Sequence, residues 1–459
     1  MTTPTSPHAA LAAHVAGRVH LPGDDGYDTA RSGFQAAFAH APGAVVAAAG
    51  PGDVRTAVAH AAEHGLPVAV QATGHGLATP LDGGVLVTTG AMAGVAVDPA
   101  ARTARVGAGT RWADVVAAAA RYGLAPLSGS SPTVGAVGYT LGGGLGLLAR
   151  THGYAADHVR ALEVVTADAR PRRVTAADDP DLFWALRGGP LRLAAVTAME
   201  IGLVPVERVY GGELVFTEHH LDALLPAYLE WAATAPEEVT TSLGLLRYPD
   251  IPQLPEEVRG RYLVHLRVTA TTDAEQGARL LAPLRALGPV RDTVADLAFA
   301  DSERIYADPA EPHGYDADNS LLTTLDAGRL RAVLQEAGPS APLMCVVGLR
   351  HLGGALARPA EHGAAVGHRG AAWLLQVLSP VEGPDPAAVR GLHGRALAPV
   401  RDAAVGRAPN FLFGDHPADT DRPWSTPGDA RRLARVKADR DPDDLFRSAA
   451  AWRGAATGG

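Results

Sequence analysis

The chain has 459 residues, 47% of them hydrophobic, a formal net charge of −9 and a single cysteine. That length allows two or three domains with large cores. The negative balance, with no basic run, argues against nucleic acid or an anionic membrane as the main partner. One thiol argues against a disulfide framework or a cysteine-based zinc site.

Residues 1–23 show no charged stretch leading into a long apolar run, so no signal peptide is expected. No stretch offers about 18 uninterrupted apolar residues. A cytoplasmic protein is expected. Residues 1–24 read as a loosely held arm or a short helix, residues 27–38 as a helix and 44–49 as a short buried strand. Asp53 is placed as the N-cap of a helix that turns Val54, Ala57, Val58 and Ala61 to one side. Gly65 ends that helix and Pro67 starts the next strand.

That strand breaks at Gln71-Ala72-Thr73-Gly74-His75-Gly76, a turn with one imidazole at its tip. Glycines 74 and 76 allow positive φ and let a ligand lie against bare peptide groups. Turned N–H groups of this kind make an anion nest, and the end of a strand in a strand–helix–strand unit is where such units place ligands. Strands are expected at 85–89, 95–98 and 103–107, the last two pairing about Pro99-Ala100. A helix over 112–121 closes at Gly123.

A second small-residue stretch, residues 128–146, then repeats the theme. Two such loops suggest a long phosphate-bearing cofactor laid across backbone. Strands at 158–166, 172–175 and 196–203 and a helix at 181–186 complete an α+β unit. From about residue 206 the pattern changes. Longer strands (209–216, 261–269, 343–349, 373–378) alternate with helices (221–233, 273–287, 327–337). This is a sheet with helices on one face and the other face free to roof a pocket. Cys345 reads as a core thiol. Residues 429–446 return as an amphipathic helix with Leu433, Val436 and Ala438 inward.

With Gly74-His75-Gly76 in the first loop, and Gly135, Gly138, Tyr139 and glycines 142–144 in the second, the chain resembles the berberine-bridge-enzyme-like FAD-linked oxidases. These lie within the vanillyl-alcohol-oxidase superfamily. The resemblance is close over residues 26–205 and looser over 340–447. It implies an α+β fold: an arm (1–25), a PCMH-type FAD-binding domain (26–205), an inserted substrate domain with an antiparallel sheet backed by helices (206–400), and a C-terminal segment (401–459) that rejoins the FAD-binding domain. It implies FAD, with its pyrophosphate on the first loop and an 8α bond to His75. Cofactor contacts are implied for Gln71, Ala72, Thr73, Gly74, His75 and Gly76 in that loop. In the second loop they are implied for Ser130, Ser131, Thr133, Val134, Gly135, Gly138, Tyr139, Gly142, Gly143 and Gly146, and beyond it for Val196 and Asn410. Several family members make a second flavin bond through a cysteine at the position of Ser131, so one link is the most this chain can form. The implied activity is hydride removal from a substrate carbon, with oxygen then yielding peroxide. The implied substrate is a natural-product intermediate, polycyclic or polyketide-like, and the implied state a monomer or homodimer.

Three departures stand beside the resemblance. Between Gly189 and Val196 the family runs Gly-Gly-Asn-Phe-Gly-like, whereas here stand Pro190, Leu191, Arg192, Leu193 and Ala194. Proline fixes φ and removes a donor. Two outcomes stay open: a rebuilt loop that still holds FAD, with Arg192 meeting a phosphate, or a loop that fills the cofactor cavity. Ala408 occupies the place, two residues before Asn410, where a tyrosine often serves as base. The tail Ser448-Ala449-Ala450-Ala451-Trp452 replaces an asparagine- and proline-rich one. These departures keep a second function open: a flavin-free cyclase or isomerase that templates a pericyclase-like ring closure by positioning. The catalytic candidates are Asn410, His351 at the strand end 350–354, and His265. His265 shares one side of its strand with Arg261, Leu263 and Arg267, a side that reads equally as a pocket wall or a solvated face. His219, His220, His362 and His368 lack metal-ligand spacing with carboxylates, so no metal site is expected.

Overall fold

The fold is that of a computed structural model, which describes residues 8, 10–77, 79–189, 191–414, 416 and 419–448. Pro190 and residues 449–452 of the tail lie outside the described residues. The strands form three sheets. The first holds β1 (Arg18–His20), β2 (Ala44–Ala47), β3 (Val68–Gln71) and β4 (Val85–Thr88) in the order β1-β2-β4-β3. β2, β4 and β3 run parallel, and β1 pairs antiparallel to β2, so part of the expected arm is a strand.

The second sheet holds β5 (Val95–Asp98), β6 (Thr103–Gly107), β7 (Val159–Thr166), β8 (Pro171–Val174) and β9 (Ala194–Gly202), all antiparallel. β5 and β6 form the expected hairpin. The third sheet has nine antiparallel strands: β10 (Arg208–Thr217), β11 (Val239–Arg247), β12 (Tyr262–Ala270), β13 (Arg291–Asp292), β14 (Ala295–Ala298), β15 (Tyr315–Leu322), β16 (Val346–His351), β17 (Trp373–Pro380) and β18 (Ala404–Gly406).

Helices Leu221–Thr234, Ala274–Arg285, Ala327–Ala337 and Pro386–Leu397 cover one side of the nine-stranded sheet. Leu224, Tyr228, Leu281, Leu330 and Leu392 pack there on Phe216, Leu243, Leu266, Leu349 and Leu375. The opposite side faces the first two sheets. The C-terminal helix Pro427–Arg440 buries Leu433 and Val436 among residues of the second sheet, and Leu445 and Phe446 join the core of the first. Cys345 is buried, and burial pushes its thiol up to about 11.

Several expected elements differ. The helix expected over 27–38 stops at Arg31, because residues 34 and 35 bond instead to the His75 loop: the Phe34 and Gln35 amides donate to the Thr73 and Gly74 carbonyls. Asp53 is not the cap of helix Pro51–Glu63; the cap is Gly50. The Asp53 carboxylate accepts the amides of Ala16, Gly17 and Ala49 at 2.8–2.9 Å and so ties the N-terminal segment to the first sheet. β11, β15 and helix Pro386–Leu397 were not foreseen.

Candidate active site

A cavity of about 620 Å³ runs between the first two sheets and the nine-stranded sheet. Its floor is made by both glycine loops. Its roof carries Tyr306, Tyr315, Arg350 and Gln376, and one end is bordered by Arg192, Leu193 and Phe446. Volumes of this size are typical of small-molecule and cofactor sites.

His75 sits on the wall. Its Nδ1 is 2.8 Å from Thr73 Oγ1 and its Nε2 3.2 Å from Thr133 Oγ1. The ring stacks on Phe34 at 3.8 Å and 11°. Burial first, then the positive field of Arg111, pushes its pKa down to about 4, so the imidazole is neutral at neutral pH and keeps a lone pair. Thr73 Oγ1 also accepts the Gly135 amide at 3.1 Å, which joins the two loops. The Tyr315 hydroxyl, from the roof, donates to the His75 carbonyl at 2.7 Å.

The glycines divide into two kinds. At Gly76 and Gly138 an added Cβ would meet nothing within 4 Å, and both border the cavity. These two leave the floor open for a ligand to rest on backbone. Gly142 and Gly146 instead let the protein close on itself: an added Cβ would lie 1.8 Å from Asn410 Oδ1 and 2.1 Å from the Ser128 carbonyl, respectively. Gly74 has φ 73° and touches Gly33; Gly76, contrary to expectation, is not among the positive-φ glycines.

Residues 42–175 match the FAD binding domain family. The (R)-6-hydroxynicotine oxidase of Paenarthrobacter nicotinovorans is 30% identical over 226 residues, 49% of this chain and 46% of that protein. The chain thus spans about half or less of the length of the first curated relatives it matches. A crystal structure of 6-hydroxy-D-nicotine oxidase from Arthrobacter nicotinovorans superposes with a TM-score of 0.81 at 24% identity, over 95% of this chain and 97% of that one. Glucooligosaccharide oxidase from Acremonium strictum, a 6-S-cysteinyl, 8α-N1-histidyl FAD protein, superposes at 0.84 with 22% identity over 97% and 98%. The two superpositions show the fold.

Residues 42–175 thus belong to the FAD binding domain family.

The residues present fit that family's dinucleotide. The open floor at Gly76 and Gly138 is the cradle it needs, and the Arg192 end supplies a cation that makes no ion pair among the described residues. The rebuilt segment does not close the cavity. Leu191 and Leu193, 7% and 0% exposed, pack among Leu182, Phe183 and Leu433. Arg192 is held by its backbone, its amide donating to Ser448 Oγ at 3.0 Å and its carbonyl accepting Lys437 Nζ at 3.0 Å. Its guanidinium, its pKa lowered by burial, reaches only the Arg447 carbonyl at 3.3 Å.

Most residues expected to hold the FAD-family cofactor border this one cavity: Gln71 to Gly76, Ser130, Ser131, Val134, Gly135, Gly138, Tyr139, Gly142, Gly146, Val196 and Asn410. Three need correction. Gly143 turns toward Val366, behind the floor. Thr133 is not in the lining and meets the site only through His75 and, at 3.0 Å, Ser131. The Gln71 side chain is engaged at both ends: its Oε1 is 3.1 Å from His40 Nε2 and its Nε2 donates to the Ser32 carbonyl at 2.9 Å, so it buttresses the loop.

The catalytic candidates fare differently. His265 is 3% exposed and outside the lining; its nitrogens meet Glu213 Oε2 at 2.8 Å and the Tyr248 hydroxyl at 3.1 Å. Its side of β12 is therefore neither pocket wall nor solvated face. His351 borders the cavity, yet the pleat turns it opposite to Arg350. Its ring stacks on Trp373 and its Nε2 is 2.9 Å from Arg150 Nη1. Burial and then Arg150 push its pKa down to about 3, so it has no proton to give at neutral pH. Asn410 lies at the cavity, but its Nδ2 donates to the Tyr139 carbonyl at 2.9 Å, which locks the returning segment to the floor. Sequence reasoning missed Phe34, Tyr306, Asp308, Tyr315 and Gln376, and it singled out Arg350 only as one of two polar groups at the strand end, with His351 taken as the catalytic candidate. Among the described residues no group of three or more His, Cys, Asp or Glu is placed to hold a metal ion. No helix is long and apolar enough to cross a membrane.

Proposed function

We propose that the chain is an FAD-dependent oxidoreductase that takes a hydride from a carbon of a small-molecule substrate, with the flavin attached through His75. The observation that carries this reading is the single cavity running from Arg192, past His75 and the open floor at Gly138, to the polar roof at Arg350. FAD bound there supplies the hydride acceptor, since the hard chemistry belongs to the cofactor. The chain's own residues do the rest. The floor receives the dinucleotide on backbone, and Arg192 faces its phosphates. His75, neutral and held between Thr73, Thr133 and Phe34, presents the lone pair that a bond to a flavin methyl carbon requires. Ser131 stands 3.0 Å from Thr133 Oγ1 and offers no thiol for a second bond. We take residues 26–205 with the C-terminal segment as the FAD-binding part and 206–400 as the part that selects the substrate. A natural-product intermediate is the substrate class we favour.

The test is the visible spectrum of the purified protein. A yellow flavin spectrum that survives acid precipitation supports the reading, and His75→Ala is expected to release the colour into the supernatant. The flavin-free cyclase is the second reading, favoured by Ala408 where a base is usual. A colourless protein that refuses added FAD would place it first.

A further inference from the structure

Two guanidiniums border the cavity, Arg192 and Arg350, along with one carboxylate, Asp308. Asp308 is already engaged, its Oδ2 accepting a hydrogen bond from the Ser130 hydroxyl at 2.5 Å. Arg192 stands at the dinucleotide end, which leaves Arg350 as the only cation lining the roof among the described residues.

Arg350 is poorly satisfied. It is half-buried, it lies over the Phe411 ring at 4.3 Å, and its one side-chain partner is Gln376 Oε1 at 3.4 Å. It makes no ion pair among the described residues. A guanidinium has five N–H donors in a planar fork, so most of this one's capacity is unspent. Arg192 apart, several other buried or half-buried arginines are treated otherwise. Arg267, across Ser242 in the same row of the sheet, has Glu213 at 4.0 Å. Arg369 has Asp157, and Arg422 has Asp318 and Asp419. Arg150 and Arg187 donate hydrogen bonds to backbone carbonyls. A half-desolvated cation without an anion is costly, and a planar fork matches a carboxylate.

We propose that the substrate of this cavity carries a carboxylate and that Arg350 receives it. Gln376 holds the fork in place: its Oε1 lies against Arg350 and its Nε2 donates to the Phe411 carbonyl at 3.3 Å. Phe411 supports the guanidinium from one face, and the open side is left to the ligand. The inference rests on the proposed function only in taking the Arg350 end as the substrate's end.

The experiment compares benzoate with its neutral isostere benzamide by titration calorimetry on the protein as purified. Wild type is expected to prefer benzoate by about 10- to 100-fold, the range for a charge-assisted hydrogen bond. Arg350→Gln is expected to erase the preference and leave benzamide binding and flavin content unchanged. Arg350→Lys, which keeps the charge and loses the fork, is expected to retain part of it, and carries the test if the glutamine variant does not fold. Equal binding by wild type, no binding of either probe, or a preference that survives Arg350→Gln overturns the proposal. So does a glutamine variant that alters the flavin spectrum while keeping the preference, since Arg350 would then serve the cofactor. A flavin-free protein that still prefers benzoate would sink the redox reading and leave this inference standing.

Discussion

The floor and the roof of the cavity are built on opposite principles. The floor works by what is missing: Gly76 and Gly138 leave backbone bare toward the cavity. The roof works by what is present: Arg350, Gln376, Tyr306 and Tyr315 project from, or pack on, one side of a nine-stranded sheet. A floor of peptide groups suits a constant ligand, because every peptide offers the same donor and acceptor. A roof of side chains suits a variable one, since each residue can change without moving the sheet. The difference teaches where to look for cofactor and where for substrate.

The hardest test of the contrast is to give the floor a side chain. Gly138 lies in helix Ala136–Leu141 with open space where its Cβ would be. Gly138→Leu is expected to abolish FAD retention while leaving the melting temperature of the flavin-free protein equal or higher, because leucine gains about 0.5–1 kcal/mol over glycine in a helix. Flavin absorbance and a thermal melt check both halves. A variant that keeps its flavin would erase the distinction between the two kinds of glycine.

A smaller effect is expected behind the roof, on the helix-covered side of the sheet. Asp316 Oδ1 is 3.3 Å from both His393 Nδ1 and His416 Nε2. Burial raises the Asp316 pKa, but the two imidazoles outweigh it and hold the carboxyl at about 2 against the ordinary 3.8. A depressed carboxyl stabilises above its unfolded pKa and loses that contribution as pH falls, so stability is expected to drop by about 2 kcal/mol between roughly pH 4 and pH 2. His416 carries the opposite sign. Its pKa is raised by Asp316 despite burial, so its share is complete below 6.5 and fades as pH rises. Denaturant melts of wild type and Asp316→Asn across that range are the check: the asparagine variant is expected to be weaker at neutral pH and to show a flatter acid limb.

The smallest change probes the contact between roof and floor. Tyr315→Phe removes the hydroxyl that bonds the His75 carbonyl. A loss of about 1 kcal/mol in stability is expected, with faster protease cleavage near residue 75. An unchanged variant would leave this hydroxyl with no part in joining floor to roof.

Much of the floor was legible in the sequence because its signal is local: glycines at fixed positions in one loop, read without knowing what packs on them. The roof was not, for two reasons. β15 reads Tyr-Asp-Ala-Asp-Asn-Ser-Leu-Leu, a loop-like composition, yet all eight residues are buried. Its polar groups find partners far along the chain: Asp318 pairs with Arg422, and Asn319 exchanges hydrogen bonds with the Ala408 backbone. Second, a strand's pleat sends neighbours to opposite sides, and register decides which one meets the ligand. The residues at 350 and 351 were both visible as polar, but only the pairing of β16 with β17 turns Arg350 to the cavity and His351 onto Trp373. The helix expected to reach Phe38 failed because Phe34 and Gln35 bond to the His75 loop, a contact no periodicity announces.

Tyr315 has a bearing on how such proteins can be recombined. The strand that helps form the ceiling also clasps the loop bearing His75. A chimera that grafts a foreign ceiling onto this base would exchange that clasp along with the selectivity. Specificity grafts are therefore expected to succeed when the donor brings a tyrosine at this place, and otherwise to yield proteins slow to take up their pigment.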